Sequence, residues 1–217
     1  MQIEKTADGS YTLFVPELDE HYHSVKGALT ESEHIFINMG LKHSSVSQPC
    51  VLEIGFGTGL NAFLSLLEAE KSQRHVHFTT IERFPLDMET IRTMNYPAQV
   101  APDHATAYDA LHLAPWNVDA TITEFFTLHK IEADFISYQF PKGYDVIYFD
   151  AFAPEKQPEM WSQALFDQLY SVLNEGGILT TYCAKGVIRR MLQAAGFIVE
   201  RLPGPPGGKR EILRATK

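Results

Sequence analysis

The stretch Val51-Leu52-Glu53-Ile54-Gly55-Phe56-Gly57-Thr58-Gly59 decides the fold. Its short apolar run predicts a buried strand. The glycines that follow at every second position predict a tight turn that a ligand can approach without Cβ clashes. Leu60-Asn61-Ala62-Phe63-Leu64-Ser65-Leu66-Leu67 then resumes with apolar residues at helical spacing. Strand, glycine loop and helix in this order open nucleotide-binding α/β domains. A dinucleotide fingerprint calls for a small residue three after Gly57, but Leu60 stands there and the third glycine is Gly59. Glu53, just before the loop, would set its charge against a pyrophosphate. A ligand carrying an ammonium and a sulfonium suits an acidic strand end better.

The pattern Glu53-x-Gly55-x-Gly57-x-Gly59 resembles the loop of methyltransferases that use S-adenosylmethionine. Three further strand-like runs end in acids. His77-Phe78-Thr79-Thr80-Ile81 ends in Glu82, placed to bind both ribose hydroxyls at the carboxyl edge of a doubly wound sheet; the plainer alternative is a surface acid paired with Arg83. A run beginning near Phe126 ends around Ile131-Glu132-Ala133-Asp134. Asp134 is the natural partner for an adenine amino group there, with Glu132 the alternative because the register is open. Tyr144-Asp145-Val146-Ile147-Tyr148-Phe149 ends in Asp150 and leads into Ala151-Phe152-Ala153-Pro154. That loop loosely resembles the Asp/Asn-Pro-Pro-aromatic loop of amino-group methyltransferases, in which a polar group orients a nitrogen and an aromatic walls the pocket.

Length and composition fit one soluble enzyme domain: 217 residues, 45% hydrophobic and 21% charged. No apolar stretch has membrane-spanning length and the N-terminus carries no export signal, so the expected location is cytoplasmic. Cys50 and Cys183 read as buried free thiols, and the nine histidines show no ligand spacing, so no metal is expected. Residues 1–15 predict a hairpin turning at Ala7-Asp8-Gly9-Ser10. Thr30-Glu31-Ser32-Glu33 reads as a capping box opening a short helix through Phe36. Helices are expected at 59–70, 86–95, 103–113, 158–173 and 186–195. Gly176-Gly177 would end the fourth of these before a strand at 178–183, and closing strands are expected at 197–202 and 211–216. The expected architecture is α/β, a Rossmann-like, doubly wound, mostly parallel seven-stranded sheet with an antiparallel C-terminal strand. Residues 1–40 form an N-terminal extension, and residues 41–217 the catalytic domain.

Four stretches together make a specific resemblance. They are Gly55 to Asn61, Glu82-Arg83-Phe84-Pro85-Leu86, Asp150-Ala151-Phe152-Ala153-Pro154-Glu155-Lys156-Gln157-Pro158-Glu159-Met160-Trp161, and Lys209-Arg210-Glu211-Ile212-Leu213. The chain is similar over nearly its whole length to the methyltransferase domain of the tRNA-modifying MnmC family. The resemblance implies methyl transfer from S-adenosylmethionine to the exocyclic amine of 5-aminomethyl-(2-thio)uridine at the tRNA wobble position. It implies no FAD in this chain, because the flavin-dependent oxidase domain of fused relatives has no counterpart here, and hence a separate upstream enzyme. It places Glu53, Gly55, Gly57, Gly59, Asn61, Glu82 and Asp134 on the cofactor.

An aliphatic aminomethyl group is largely protonated at neutral pH and must lose its proton before attack. Asp150 is the expected catalytic group, orienting the amine or accepting its proton through water; the plain alternative is a strand-end acid capping the next turn. Phe152 is expected to wall the uridine pocket, or to be core, and Lys156 to reach a phosphate, or to be solvated.

A net charge of −9 argues against a tRNA ligand. Lys185 to Lys217, however, holds eight basic residues against two acids. Arg189, Arg190, Lys209 and Arg210 are therefore the expected tRNA-binding rim. A methyl- or aminopropyl-transferase for a small-molecule amine is the alternative function, and a silent Rossmann-like scaffold the third.

Overall fold

The computed structural model describes residues 1–217. The chain opens with β1 (Gln2–Lys5), β2 (Tyr11–Val15) and β3 (Glu20–His21), an antiparallel three-stranded sheet. Next come α1 (Ala28–Ser32), continued as a π-helix over Glu33–Leu41, then β4 (Cys50–Ile54), α2 (Leu60–Ser72) and β5 (Val76–Glu82). The middle of the chain forms α3 (Met88–Met94), α4 (Tyr96–Val100), α5 (Ala105–Leu113), β6 (Asp119–Thr123) and β7 (Phe126–Glu132). It closes with β8 (Tyr144–Phe149), α6 (Gln163–Val172), β9 (Leu173–Thr181), α7 (Gly186–Ala195), β10 (Ile198–Pro203) and β11 (Glu211–Thr216).

The large sheet has the order β10-β11-β9-β8-β4-β5-β7-β6. β9, β8, β4, β5 and β7 run parallel, and β6, β10 and β11 pair antiparallel. Both faces of the parallel strands are covered, which explains why they read as near-continuous apolar runs. One face packs on the π-helix, α2 and α5 through Phe36, Phe63, Tyr108 and Tyr148. The other packs on α6 and α7 through Trp161, Phe166, Leu169 and Leu192. The chain leaves β4 towards β5 on one side and β8 joins on the other, so the crevice outside their carboxyl ends is the topological switch point.

The sheet holds eight strands rather than the expected seven. The extra one, β6, is a half-exposed edge strand whose register slips between Thr121 and Thr123. It turns into β7 at Glu124-Phe125 without the glycine or asparagine that signals a hairpin. Gly176-Gly177 does not end a helix; both glycines lie within β9, which begins at Leu173 and carries an irregular register against β8. The expected 158–173 helix is shorter because Ser162 caps it, accepting the Leu165 N–H. Pro158–Met160 forms a separate 3-10 turn, and Trp161 is buried outside the helix.

The capping box at Thr30 is also not formed. α1 starts at Ala28, and the Thr30 N–H and hydroxyl both donate to Asp8 Oδ2, at 2.9 and 2.8 Å. A carboxylate from the first hairpin thus caps the helix from outside. Cys50 is only partly buried, Cys183 is buried, and both are free. No helix is long and apolar enough to cross a membrane.

Phe63 is fully buried and packs edge-on against Tyr108, joining α2 to α5 behind the glycine loop. Phe63→Ala is expected to lower stability by about 3–5 kcal/mol, read as a reduced denaturation midpoint in urea.

Candidate active site

The carboxyl ends of β4, β5, β7 and β8 enclose a cavity of about 380 Å³, within the range of small-molecule sites. Its floor is the glycine loop, and its far wall is Ile81, Glu82, Asp134 and Phe135. Val15, Leu18 and Tyr22, from the small N-terminal sheet and the turn behind it, close the top. Gly57 adopts a left-handed φ of 49°, and a Cβ there would lie 2.9 Å from the Tyr22 ring. Gly59 is similarly committed, with φ 70° and His112 Nε2 at 2.6 Å from any Cβ.

Thr58 anchors the loop. Its hydroxyl lies 3.0 Å from His23 Nε2 and its carbonyl accepts the Tyr108 hydroxyl at 2.8 Å. Burial pushes the His23 imidazolium down to about 4, with Glu31 opposing and Lys209 reinforcing, so the ring is neutral near pH 7.

The strand-end acids occupy three different environments. Glu82 accepts the Gly57 N–H at 3.1 Å and the Phe84 N–H at 2.8 Å, and its remaining lone pairs face the cavity wall. Arg83 pairs with Asp134 at 2.7 Å and not with Glu82, which leaves Glu82 unneutralised. Asp134 also accepts the Ile136 N–H, at 3.0 Å, and lines the cavity; Glu132 is exposed and does not. Glu53 is fully enclosed beside Thr80, whose hydroxyl donates to it at 2.8 Å, and neither Glu53 nor Gly59 lines the cavity. Gly55, Gly57 and Asn61 do line it.

Asp150 lines both this cavity and a second one of about 580 Å³. Its Oδ2 accepts the Asn61 amide N–H at 2.8 Å. Burial pushes the carboxyl up to about 8; the Asn61 hydrogen bond and Lys209 oppose the rise, and Glu31 adds to it. The second chamber is acidic, with Glu20, Glu31, Glu155 and Glu211 joining Asp150 against Lys185 and Lys209. Phe152 stands between the two chambers and meets Tyr22 edge-on at 5.1 Å. The loop after Asp150 is pinned at both ends: the Tyr182 hydroxyl donates to the Ala151 carbonyl at 2.9 Å, and Trp161 Nε1 to the Phe152 carbonyl at 2.8 Å.

The basic residues are brought together only in part. Lys156 is ion-paired with Asp19 at 2.9 Å, tying this loop to the N-terminal sheet. Lys209 lies in the second chamber, paired with Glu31 at 3.0 Å and 3.9 Å above the Tyr182 ring. Arg189, Arg190 and Arg210 have no acidic partner, and Arg190 and Arg210 are exposed. Tyr22, His23, Glu31 and Tyr182 were given no role in the site from the sequence. They come from segments remote from the glycine loop, and only the fold carries them there.

A nucleoside-sized cleft, an acid at the second strand end and one carboxylate shared with an adjoining cavity suit a group-transfer enzyme of the Rossmann-like α/β class. Residues 102–217, more than half of the chain, match the model of an S-adenosyl-L-methionine-dependent methyltransferase family. The chain belongs to that family and is an S-adenosyl-L-methionine-dependent methyltransferase. It is 33% identical, over 94% of its length, to the "tRNA 5-methylaminomethyl-2-thiouridine biosynthesis bifunctional protein MnmC" of Cupriavidus metallidurans. The protein of the same name from Idiomarina loihiensis is 31% identical over 90% of this chain. The chain spans only about a third of these relatives, 32% and 35% of their lengths. Among solved structures, MnmC2 of Aquifex aeolicus superposes with a TM-score of 0.74 at 25% identity, over 99% of this chain and 70% of that one. Spermidine synthase of Thermotoga maritima shares the fold, with a TM-score of 0.56 at 16% identity over 100% of this chain and 72% of that one.

The cavity residues fit this cofactor. Glu82 offers free carboxylate lone pairs for a ribose, Ile81 and Phe135 provide an apolar slot, and the loop leaves no room for a Cβ at Gly57. Gly57→Ala is expected to weaken S-adenosylmethionine binding roughly tenfold or more, ~1.4 kcal/mol, by titration calorimetry, with the circular dichroism spectrum unchanged. Asp150 binds its proton more tightly folded than unfolded, so its contribution to stability falls as pH rises from about 4 to about 8. Asp150→Asn is therefore expected to melt higher than the wild type above pH 8, with the gap closing towards pH 5.

Proposed function

We propose that this methyltransferase acts on the exocyclic amine of 5-aminomethyl-(2-thio)uridine at wobble position 34 of tRNA. The observation that carries the reading is Asp150: it lines both cavities and is joined to the cofactor loop through Asn61. The names and coverage of the MnmC relatives support the choice of acceptor.

Glu82 would hold the ribose and Asp134 the adenine edge, with the glycine loop beneath the amino-acid moiety. The bound cofactor supplies an electrophilic methyl on a sulfonium. Asp150 receives a proton from the incoming ammonium, directly or through water, so that the nitrogen lone pair is free to form the N–C bond. A carboxyl raised to about 8 is a stronger base than an exposed aspartate and suits this task near neutral pH. Phe152 walls the base pocket, and the acidic chamber favours the cationic form of the arriving amine. Arg189, Arg190 and Arg210 take tRNA phosphates. Lys209 orients Glu31 within the chamber, and Lys156 holds the loop through Asp19. The acceptor amine would come from an upstream tRNA-modifying activity in the cytoplasm.

The acid-lined chamber and the net charge of −9 also favour a second reading, transfer to a small-molecule amine. The two readings separate on labelled S-adenosylmethionine and bulk tRNA lacking the wobble methyl group. Label in the wobble nucleoside, with tRNA affinity falling as salt rises, is expected. No incorporation alongside intact cofactor binding would favour the small amine. With the true acceptor, kcat/KM is expected to rise with pH up to about 8, and Asp150→Asn to lower kcat by about 10²–10⁴-fold.

A further inference from the structure

The two cavities meet at five residues: Tyr22, His23, Asp150, Ala151 and Phe152 border both. A methyl group that starts in the first cavity and ends in the second passes between them. None of the five offers a full charge near pH 7, because burial leaves the His23 ring neutral and the Asp150 carboxyl largely protonated. A sulfonium is a permanent cation, and taking it out of water is costly without a negative partner. At this junction the partners that remain are the faces of two aromatic rings.

Tyr22 is held with its faces clear of the glycine loop. Its backbone N–H donates to the Leu13 carbonyl at 2.9 Å, which ties it to the small N-terminal sheet. A Cβ at Gly57 would lie 2.9 Å from Cδ1 and 3.0 Å from Cε1 of Tyr22, with no other ring atom within 4 Å. The ring therefore meets Gly57 edge-on, and its faces look along the cavities rather than onto backbone. Phe152 stands 5.1 Å away with the planes at 76°, so it covers at most one of those faces. The protein's own cations use other rings: Lys209 lies over Tyr182, Lys130 over Trp116 and Phe56, and Arg83 over Phe84. Tyr22 also lies within the field of Glu82, at the ribose end of the first cavity. Burial and that charge push its phenol up to about 12, so the ring stays neutral.

We propose that Tyr22 recognises the sulfonium of S-adenosylmethionine through the face of its ring, with Phe152 completing an aromatic collar between the cavities. An electron-rich ring face attracts a cation and has no such hold on a neutral sulfur. The collar thus binds the cationic donor more tightly than the uncharged thioether product, which favours exchange of product for donor.

The inference rests on the second cavity receiving the acceptor. It does not depend on that acceptor being tRNA, because its test needs no acceptor present. Titration calorimetry with S-adenosylmethionine and with S-adenosylhomocysteine separates recognition of charge from packing. Tyr22→Leu is expected to weaken the sulfonium ligand about 3- to 30-fold and the thioether ligand less than about twofold. Tyr22→Phe keeps a ring and is expected to keep most of the preference. Should Tyr22→Leu disturb folding, phenylalanines of rising fluorine content at position 22 preserve the shape while draining the negative face. Along that series S-adenosylmethionine affinity is expected to fall stepwise, and S-adenosylhomocysteine affinity to stay level. Equal losses for both ligands in Tyr22→Leu, or a level series for both, would overturn the proposal.

Discussion

At the end of β4 the backbone must turn back over its own strand while keeping its amides and loop atoms close to a ligand. Gly57 and Gly59 meet that requirement in left-handed conformations, each pressed against a ring: Tyr22 above, His112 behind. The loop therefore does not hold its shape alone. Tyr22 and His23 arrive from the N-terminal segment, and Tyr108 and His112 from α5. Thr58 sits between the two groups with its hydroxyl and carbonyl both engaged. A close-packed arrangement of this kind transmits a change in any of these side chains to the floor of the first cavity. The first hairpin is part of the same construction, because its Asp8 caps the helix that packs beneath the sheet.

Acids at neighbouring strand ends of one sheet sit in different surroundings. Glu82 accepts the N–H groups of Gly57 and Phe84 and lines the first cavity. Asp150 is enclosed but opens to both chambers, so its proton is bound tightly yet can be exchanged. Glu53 is shut away with an unpaired oxygen. Burial, more than the neighbouring charges, pushes the Asp150 and Glu53 carboxyls above their ordinary values. Stability is given up for it, since an ionised Asp150 destabilises the fold that positions it.

Much of the fold was legible in the primary structure, since parallel strands buried on both faces leave apolar runs bounded by glycine and acid. The seven strands, the five main helices and the switch point follow from those runs. So do the glycine loop and the strand-end positions of Glu82 and Asp150, because each is encoded within its own short strand–loop segment. What was illegible depended on partners distant in the chain. β6 is an edge strand with weak alternation, held by pairing with β7 rather than by its own pattern. The start of α1 is set by Asp8, twenty-two residues before Thr30. Lys156 reads as a free cation until Asp19 is brought to it.

The amino-acid sequence by itself determined the doubly wound sheet, the glycine loop and the acid at the end of β8, because each is encoded by period and spacing within a short segment. Only the tertiary structure decided which acids line the cavities, since that depends on segments distant in the chain. It also decided that Asp150 joins two chambers and that Lys209 turns inward to Glu31. Glu53 shows the division most plainly: its place in the loop motif is local, whereas its enclosure comes from β5, β8 and α2 closing around it.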